Sequence, residues 1–199
     1  MEEQVKSSEE VYTTWYLNEL LESGHIVQYK YQPKAFILSE FIPIQKENKA
    51  LQLHKGIVYT ADYLIEWADK SKGIFIRRDN EKPFNSQYPF EVAYLKRANG
   101  DKKPISYIDV KGTFNGRNNT SAVTFPIKRA WVYQRYCIYI QMIIPVFVHT
   151  TKKRKEVKEE GLFPETFTPE RYFFTDGQKQ KRKLRYSPMT LKQYLKSRL

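Results

Sequence analysis

The order of helical and extended patterns along this chain limits its fold more than any other feature. A capping pattern at Ser7 and Glu10 opens a helical stretch that ends at Gly24. Stretches rich in β-branched and aromatic residues follow, and a second helical pattern begins at Phe125-Pro126, with proline in its first turn. An apolar strand comes last. This order of helix, strands, helix and strand predicts an α/β (α+β) sandwich around a mixed central sheet.

The extended stretches also predict where the chain reverses direction. The turn-forming residues Asn-Gly-Asp at 99–101 lie between two of them and predict a hairpin. The second helix is expected to run from residue 125 to about residue 136. The predicted strands cover residues 26–31, 35–41, 58–67, 74–77, 90–96, 105–111 and 138–144.

The charge of the chain indicates an anionic partner. Its 199 residues include 34 Lys and Arg against 22 Asp and Glu, which gives a net charge of +12, and nucleic acid is the commonest partner of so basic a protein. Hydrophobic residues make up 41%, enough to form a core. The single cysteine excludes a disulfide framework and a cysteine-rich zinc module. With neither a secretory signal nor an apolar run of membrane-spanning length, we expect a cytoplasmic protein.

Most of this charge lies near the C-terminus. Residues 151–199 carry fourteen Lys and Arg against six Asp and Glu, a net charge of +8. We therefore expect a basic C-terminal appendage of residues 151–199, whose runs 152–155 and 179–185 could bind a nucleic-acid backbone or act as a solubilising tail. The candidate DNA-binding residues in these runs are Lys152, Lys153, Arg154, Lys181, Arg182 and Lys183.

One predicted strand places an acidic and a basic residue on the same face. Within residues 107–112 (YIDVKG), Asp109 and Lys111 should project side by side, while Ile108 and Val110 face a core. A carboxylate that holds a hard divalent cation, next to a lysine that orients or deprotonates water, suits metal-assisted phosphodiester hydrolysis. The acidic-x-Lys pattern occurs four times, but only here does it lie in an apolar strand that ends in glycine.

Two further carboxylates are candidates for the same site. Asp62 is the acidic residue in the middle of an apolar stretch, where a metal shared with Asp109 would compensate the cost of burying its charge. It could equally lie on the solvated face of an amphipathic strand. Glu10 should lean toward the core side of the first helix. However, Ser7 and Glu10 also match a capping box, and Glu9 is the obvious competitor.

These patterns, in this order, resemble one nuclease family. A helix that bears a glutamate, the strand at 59–63 (YTADY), the strand at 108–112 (IDVKG) and a basic helix are similar to the PD-(D/E)XK nuclease superfamily, which has the restriction-endonuclease-like fold. The turn at 21–26 (LESGHI) and the stretch at 31–33 (YQP) narrow the resemblance to small phage nucleases related to phage endonuclease I, a Holliday-junction resolvase. The resemblance covers roughly residues 8–145.

The chain departs from the family pattern at three points, and two of them shape the expected domain organisation. Ala61 stands where the family name has a proline, Asp109 follows Asp62 by 47 positions, and the basic C-terminal segment matches nothing in the family. We interpret residues of about 70–103, which fill this interval, as an inserted hairpin. The nuclease core is then expected to span residues 1–150.

The resemblance implies a site for Mg²⁺ or Mn²⁺. Asp62 and Asp109 match the metal-binding carboxylates of the family, and the Val110 carbonyl would be a further ligand. Lys111 matches the catalytic lysine. Glu10 matches the helical glutamate, which adds a water-mediated contact or a second metal. The implied reaction is in-line attack of a bound water on phosphorus, with the metal and the lysine stabilising the developing charge.

The resemblance also implies the partners of the protein. The substrate would be branched or duplex DNA, and relatives of this kind often act as homodimers in the host cytoplasm. On the second predicted helix, Lys128, Arg129 and Arg135 could contact phosphates or lie on an ordinary solvated face. We therefore expect a metal-dependent endodeoxyribonuclease, junction-resolving in its narrower form. The alternative is a non-catalytic DNA-binding or packaging module on the same fold.

Overall fold

A central mixed sheet flanked by helices organises the protein, which confirms the predicted α/β fold class. The computed structural model describes residues 7–46, 49–96, 102–112, 120–150, 157–179 and 184–198. The helices are α1 (Ser8–Glu22), α2 (Thr120–Tyr136), α3 (Leu162–Glu165), α4 (Glu170–Lys179) and α5 (Leu191–Arg198). The strands are β1 (Ile26–Tyr31), β2 (Phe36–Ser39), β3 (Ile42–Lys46), β4 (Lys49–His54), β5 (Ile57–Tyr59), β6 (Tyr63–Trp67), β7 (Ala93–Lys96), β8 (Lys102–Val110), β9 (Ile140–Ile143), β10 (Phe147–Thr150) and β11 (Val157–Glu160).

The first helix begins where its capping residues predict. The Ser7 hydroxyl accepts a hydrogen bond from the Glu10 N–H at 3.2 Å, and the Glu10 carboxylate accepts one from the Ser7 N–H at 2.6 Å. This reciprocal pair satisfies N–H groups that have no partner within the helix. Three hydrophobic side chains of α1 are fully buried in the core, namely Tyr16, Leu17 and Leu20.

Strand β8 is the centre of the five-stranded sheet. Along one edge it pairs antiparallel with β6, which in turn pairs with β1. Along the other edge its first half pairs antiparallel with β7, and its second half pairs parallel with β9. The β8–β9 pairing is parallel because α2 carries the chain back across the sheet between them. This topology places the C-terminal end of β8 next to α2.

Several local expectations were wrong in their boundaries. The stretch predicted as one strand at 58–67 divides into β5 and β6, with Asp62 at the break. Residues 74–77 form no strand; Ile76 makes only isolated bridges. Helix α2 begins at Thr120, so Pro126 lies inside it rather than in its first turn. The hairpin between β7 and β8 is confirmed by their pairing, although its turn lies outside the described residues.

Two hydrophobic clusters hold the helices on opposite faces of the sheet. The larger one joins α1 to β6 and β8, and the smaller one joins α2 to β2, β5 and β9. Buried residues of the larger cluster include Tyr16, Leu17, Tyr63, Ile65, Trp67, Ile108 and Val110. Those of the smaller cluster are Phe36, Leu38, Tyr59, Ala61, Phe125, Val132 and Ile140.

The C-terminal segment, expected to form an appendage, contributes to the larger cluster. Phe167 stacks on Tyr16 with ring centroids 4.1 Å apart, and the hydroxyls of Tyr16 and Thr166 are hydrogen-bonded at 2.9 Å. Phe163, Tyr172 and Tyr194 are buried in the same cluster. The described part of this segment therefore completes the core that α1 begins.

Among the described helices, none is both long and apolar enough to cross a membrane.

Candidate active site

The end of β8 brings together the acidic and basic residues predicted to share a face. Asp109 is 3% exposed, and its Oδ1 forms an ion pair with the Lys111 ammonium. Ile108 and Val110 point the other way into the larger cluster. The alternation of side chains along an extended strand explains this division. The buried carboxylate and the lysine therefore lie on the α2 side of the sheet.

Asp62 joins this pair from the break between β5 and β6. Its Oδ2 accepts a hydrogen bond from the Val110 N–H at 2.6 Å, and its own N–H donates to the Ile108 carbonyl at 3.0 Å. Asp62 is half-buried. Burial, followed by the negative charge of Asp109, raises the pKa of Asp62 to about 7. The Asp62 side chain thus faces the end of β8 instead of lying on a fully solvated strand face.

Tyr59 is a member of the site that the sequence did not indicate as functional. Its hydroxyl donates a short hydrogen bond to Asp109 Oδ2, and the residue is buried. Burial and the Asp109 charge raise the pKa of the Tyr59 hydroxyl well above its usual value, so this group stays a proton donor. The position of Tyr59 three residues before Asp62 is the only sequence signal that could have pointed to it.

Both glutamates at the start of α1 lie near the site, in different ways. The Glu10 carboxylate caps the helix at Ser7, and its charge adds to the rise in the pKa of Asp62 after burial and Asp109. Glu9 approaches the loop after β8: a Cβ placed on Gly112 would lie 3.0 Å from Glu9 Oε1. Because Gly112 has no side chain, the Glu9 carboxylate can approach the backbone next to Lys111.

Helix α2 contacts Lys111 through the ring of Phe125. The Lys111 ammonium lies 5.8 Å from the centre of the Phe125 ring, and the Arg129 guanidinium lies 5.3 Å from the same ring. Arg129 is close enough for its charge to lower the pKa of Tyr59 slightly against the larger effect of burial. Of the basic residues predicted on this helix, Arg129 is the one in contact with the site.

Of the other predicted DNA-binding residues, the structure describes Lys128 and Arg135. Lys128 is half-buried on α2. Arg135 donates to the Leu38 carbonyl at 2.6 Å and so ties α2 to β2. Six residues of the basic runs lie outside the described part of the chain, namely Lys152, Lys153, Arg154, Lys181, Arg182 and Lys183.

The donor groups at the end of β8 fit a hard divalent cation. Asp62 and Asp109 lie at the same strand end, where burial and then the negative charge of Asp109 raise the pKa of Asp62. Because the N–H and C=O of a residue in an extended strand point to the same edge, the Val110 carbonyl faces Asp62 as its N–H does. Carboxylate and carbonyl oxygens are the ligands that Mg²⁺ takes, with water completing its shell.

Among the described residues, few side chains at the end of β8 could act as metal ligands. Within the residues that the structure describes, no group of three His, Cys, Asp or Glu side chains is placed so that it could hold a metal ion. Two carboxylates and one carbonyl are therefore the protein ligands to consider, as in sites where Mg²⁺ keeps several waters.

No family model, curated protein or solved structure matches this chain. The nuclease resemblance therefore stays a prediction.

Proposed function

We propose that this protein is a metal-dependent endodeoxyribonuclease with a PD-(D/E)XK-type site and a restriction-endonuclease-like fold. One observation carries the proposal. Asp62 lies 47 residues before Asp109 in the sequence, yet its carboxylate is hydrogen-bonded to the N–H of Val110, between Asp109 and Lys111. Two carboxylates that are far apart in the sequence and a lysine thus lie together at the C-terminal end of β8, an arrangement that suits metal-assisted phosphodiester hydrolysis.

The residues of the site have distinct roles in this proposal. Asp62, Asp109 and the Val110 carbonyl would hold Mg²⁺ or Mn²⁺, which supplies Lewis acidity and a more acidic bound water. Lys111 orients the attacking water or offsets the charge that develops on the phosphate. Tyr59 fixes one Asp109 oxygen, so that the carboxylate keeps a single orientation. Glu9 and Glu10 add negative charge around the site.

The charge of the protein supports DNA as the substrate. A net charge of +12 favours a polyanion, and Arg129 places a cation beside Lys111 on the same side of the sheet. In its narrower form the proposal is a junction-resolving enzyme that acts as a homodimer, because symmetric cutting of two strands requires two sites.

Comparison of Lys111→Ala with wild type on DNA tests the proposal. Both proteins are incubated with a labelled four-way junction and a matched linear duplex, in Mg²⁺ or in EDTA. Wild type should cut in Mg²⁺ only, and the variant should be slower by at least about 100-fold. Lys158→Ala is a matched control, since Lys158 follows the same acidic-x-Lys pattern but is largely exposed on β11. It should cut like wild type.

The outcomes separate the two functions that the sequence left open. Salt-sensitive DNA binding without cutting in any metal would refute the nuclease and support a DNA-binding module. Equal cutting by wild type and Lys111→Ala would refute the assigned site. The ratio of junction to duplex cleavage would decide between a resolvase and a general endonuclease.

A further inference from the structure

A row of aromatic and cationic side chains leads from Lys111 to the protein surface. After Phe125, which contacts both Lys111 and Arg129, the Arg129 guanidinium lies 5.2 Å from the centre of the Tyr139 ring. Its Nη1 also donates to the Tyr139 hydroxyl at 3.2 Å. Phe84 completes the row, with its ring centroid 5.0 Å from that of Tyr139. Each member therefore contacts the next, from the proposed site outward.

The Phe84 ring is exposed to solvent at the end of this row. It is 61% exposed, and it meets Tyr139 edge to face, at an interplanar angle of 81°. The backbone φ of Phe84 is 58°, in the left-handed region that bulky side chains rarely adopt. The Phe84 N–H donates to the Glu91 carboxylate at 2.7 Å, which fixes this conformation. A strained backbone that displays an aromatic ring to solvent suggests a binding role.

The neighbours of Phe84 define the chemistry of a ligand. A flat aromatic surface stacks on another flat ring, and nucleobases stack on such side chains whatever their sequence. Arg129 next to Tyr139 supplies a positive charge for a phosphate, and the chain as a whole carries a net charge of +12. In a continuous duplex the bases already stack on one another, so the ligand must offer a base that is not paired.

We propose that Phe84, Tyr139 and Arg129 form a stacking subsite for an unpaired nucleobase of the DNA strand beside the scissile phosphate. This inference rests on the proposed nuclease function and defines its substrate class as DNA with locally unpaired bases, such as a flap, a gap or a single-stranded end. The base stacks on the exposed Phe84 ring, which Tyr139 supports, and Arg129 contacts the adjoining phosphate. Lys111, at the other end of the row, then meets the phosphate that is cut.

A binding experiment in EDTA tests the subsite without any need for cleavage. The probes are a duplex with a short single-stranded gap that carries 2-aminopurine, and the same duplex fully paired. The variants are Phe84→Ala, Phe84→Leu, which keeps apolar bulk without a ring, and Phe84→Trp, which keeps a stacking surface. The matched control is Phe173→Ala on α4, where a phenylalanine is 50% exposed outside the row.

The expected result is a selective loss of binding to unpaired DNA. Phe84→Ala and Phe84→Leu should weaken binding to the gapped probe by roughly 5- to 100-fold and abolish the quenching of 2-aminopurine. Phe84→Trp and Phe173→Ala should bind it like wild type, and no variant should change binding to the paired duplex. Equal affinity of wild type and Phe84→Ala for the gapped probe would overturn the subsite.

The same data separate failure of the subsite from failure of the nuclease. If wild type never cuts DNA but Phe84→Ala selectively loses binding to the gapped probe, the nuclease proposal fails and the subsite stands. If wild type cuts in Mg²⁺ and Phe84→Ala binds and cuts gapped DNA equally well, the subsite fails and the nuclease stands.

Discussion

Replacement of Asp62 by Asn should stabilise the metal-free protein at neutral and higher pH. Burial and Asp109 raise the pKa of Asp62 from 3.8 to about 7, so the folded state binds this proton more tightly than the unfolded state does. The resulting stabilisation is complete below pH 3.8 and is lost as the pH rises to about 7. Asparagine does not titrate, and its amide oxygen can still accept from the Val110 N–H.

The size of the effect follows from the same shift. A pKa change from 3.8 to about 7 corresponds to about 4 kcal/mol at most. Because Asp62 is only half-buried, water screens part of this energy. We expect Asp62→Asn to gain about 2 to 4 kcal/mol of unfolding free energy over wild type between about pH 4 and about pH 8.

Urea unfolding in EDTA across this pH range measures the difference. Asp69→Asn is the control, because the Asp69 side chain is 88% exposed and forms only a surface ion pair with Lys72; it should differ from wild type by less than about 1 kcal/mol throughout. A difference for Asp62→Asn that does not change with pH would refute the reasoning, as would lower stability than wild type at about pH 8. Saturating Mg²⁺ should stabilise wild type but not Asp62→Asn.

Three further substitutions test the packing and the supporting contacts of the site, each by urea unfolding. Phe167→Ala should cost about 3 to 5 kcal/mol because it removes a core ring, whereas the exposed Phe173→Ala should cost less than about 0.5 kcal/mol; equal losses would contradict the C-terminal contribution to the core. Gly161→Ala should cost more than about 1 kcal/mol, since φ is +113° and a Cβ would lie 2.6 Å from a backbone carbonyl oxygen. Tyr59→Phe should cost about 1 to 3 kcal/mol by removing the donor to buried Asp109, and unchanged stability would argue against that hydrogen bond.

Short-range patterns predicted the elements that hold the site. The capping box at Ser7 and Glu10 involves residues three apart, and β1 has the bounds that its apolar stretch predicts. The alternation within β8 was enough to place Asp109 beside Lys111, because side chains two apart in a strand share a face. Such patterns depend only on the local backbone, so they can be recognised in the sequence itself.

The break between β5 and β6 at Asp62 could not be predicted from local patterns. An apolar run around Asp62 predicts one long strand, whereas the chain pairs first with β2 and then, after the break, with β1 and β8. The change of partner is a property of the sheet, and no spacing within the run reveals it. The choice between Glu9 and Glu10 was likewise undetermined, because a helical pattern does not show which loop packs against the start of α1. In the structure Glu9 approaches Gly112, while Glu10 caps the helix at Ser7.

The sequence by itself determined the α/β class, the basic charge and the pairing of Asp109 with Lys111. Only the tertiary structure decided that Tyr59 donates to Asp109 across 50 residues, and that Phe84 lies against Tyr139 at the end of a row that begins at Lys111. The physical reason is the distance along the sequence over which each kind of interaction acts. Helical and strand periodicities reach a few residues, while these contacts arise when separate elements bury their apolar faces on one another.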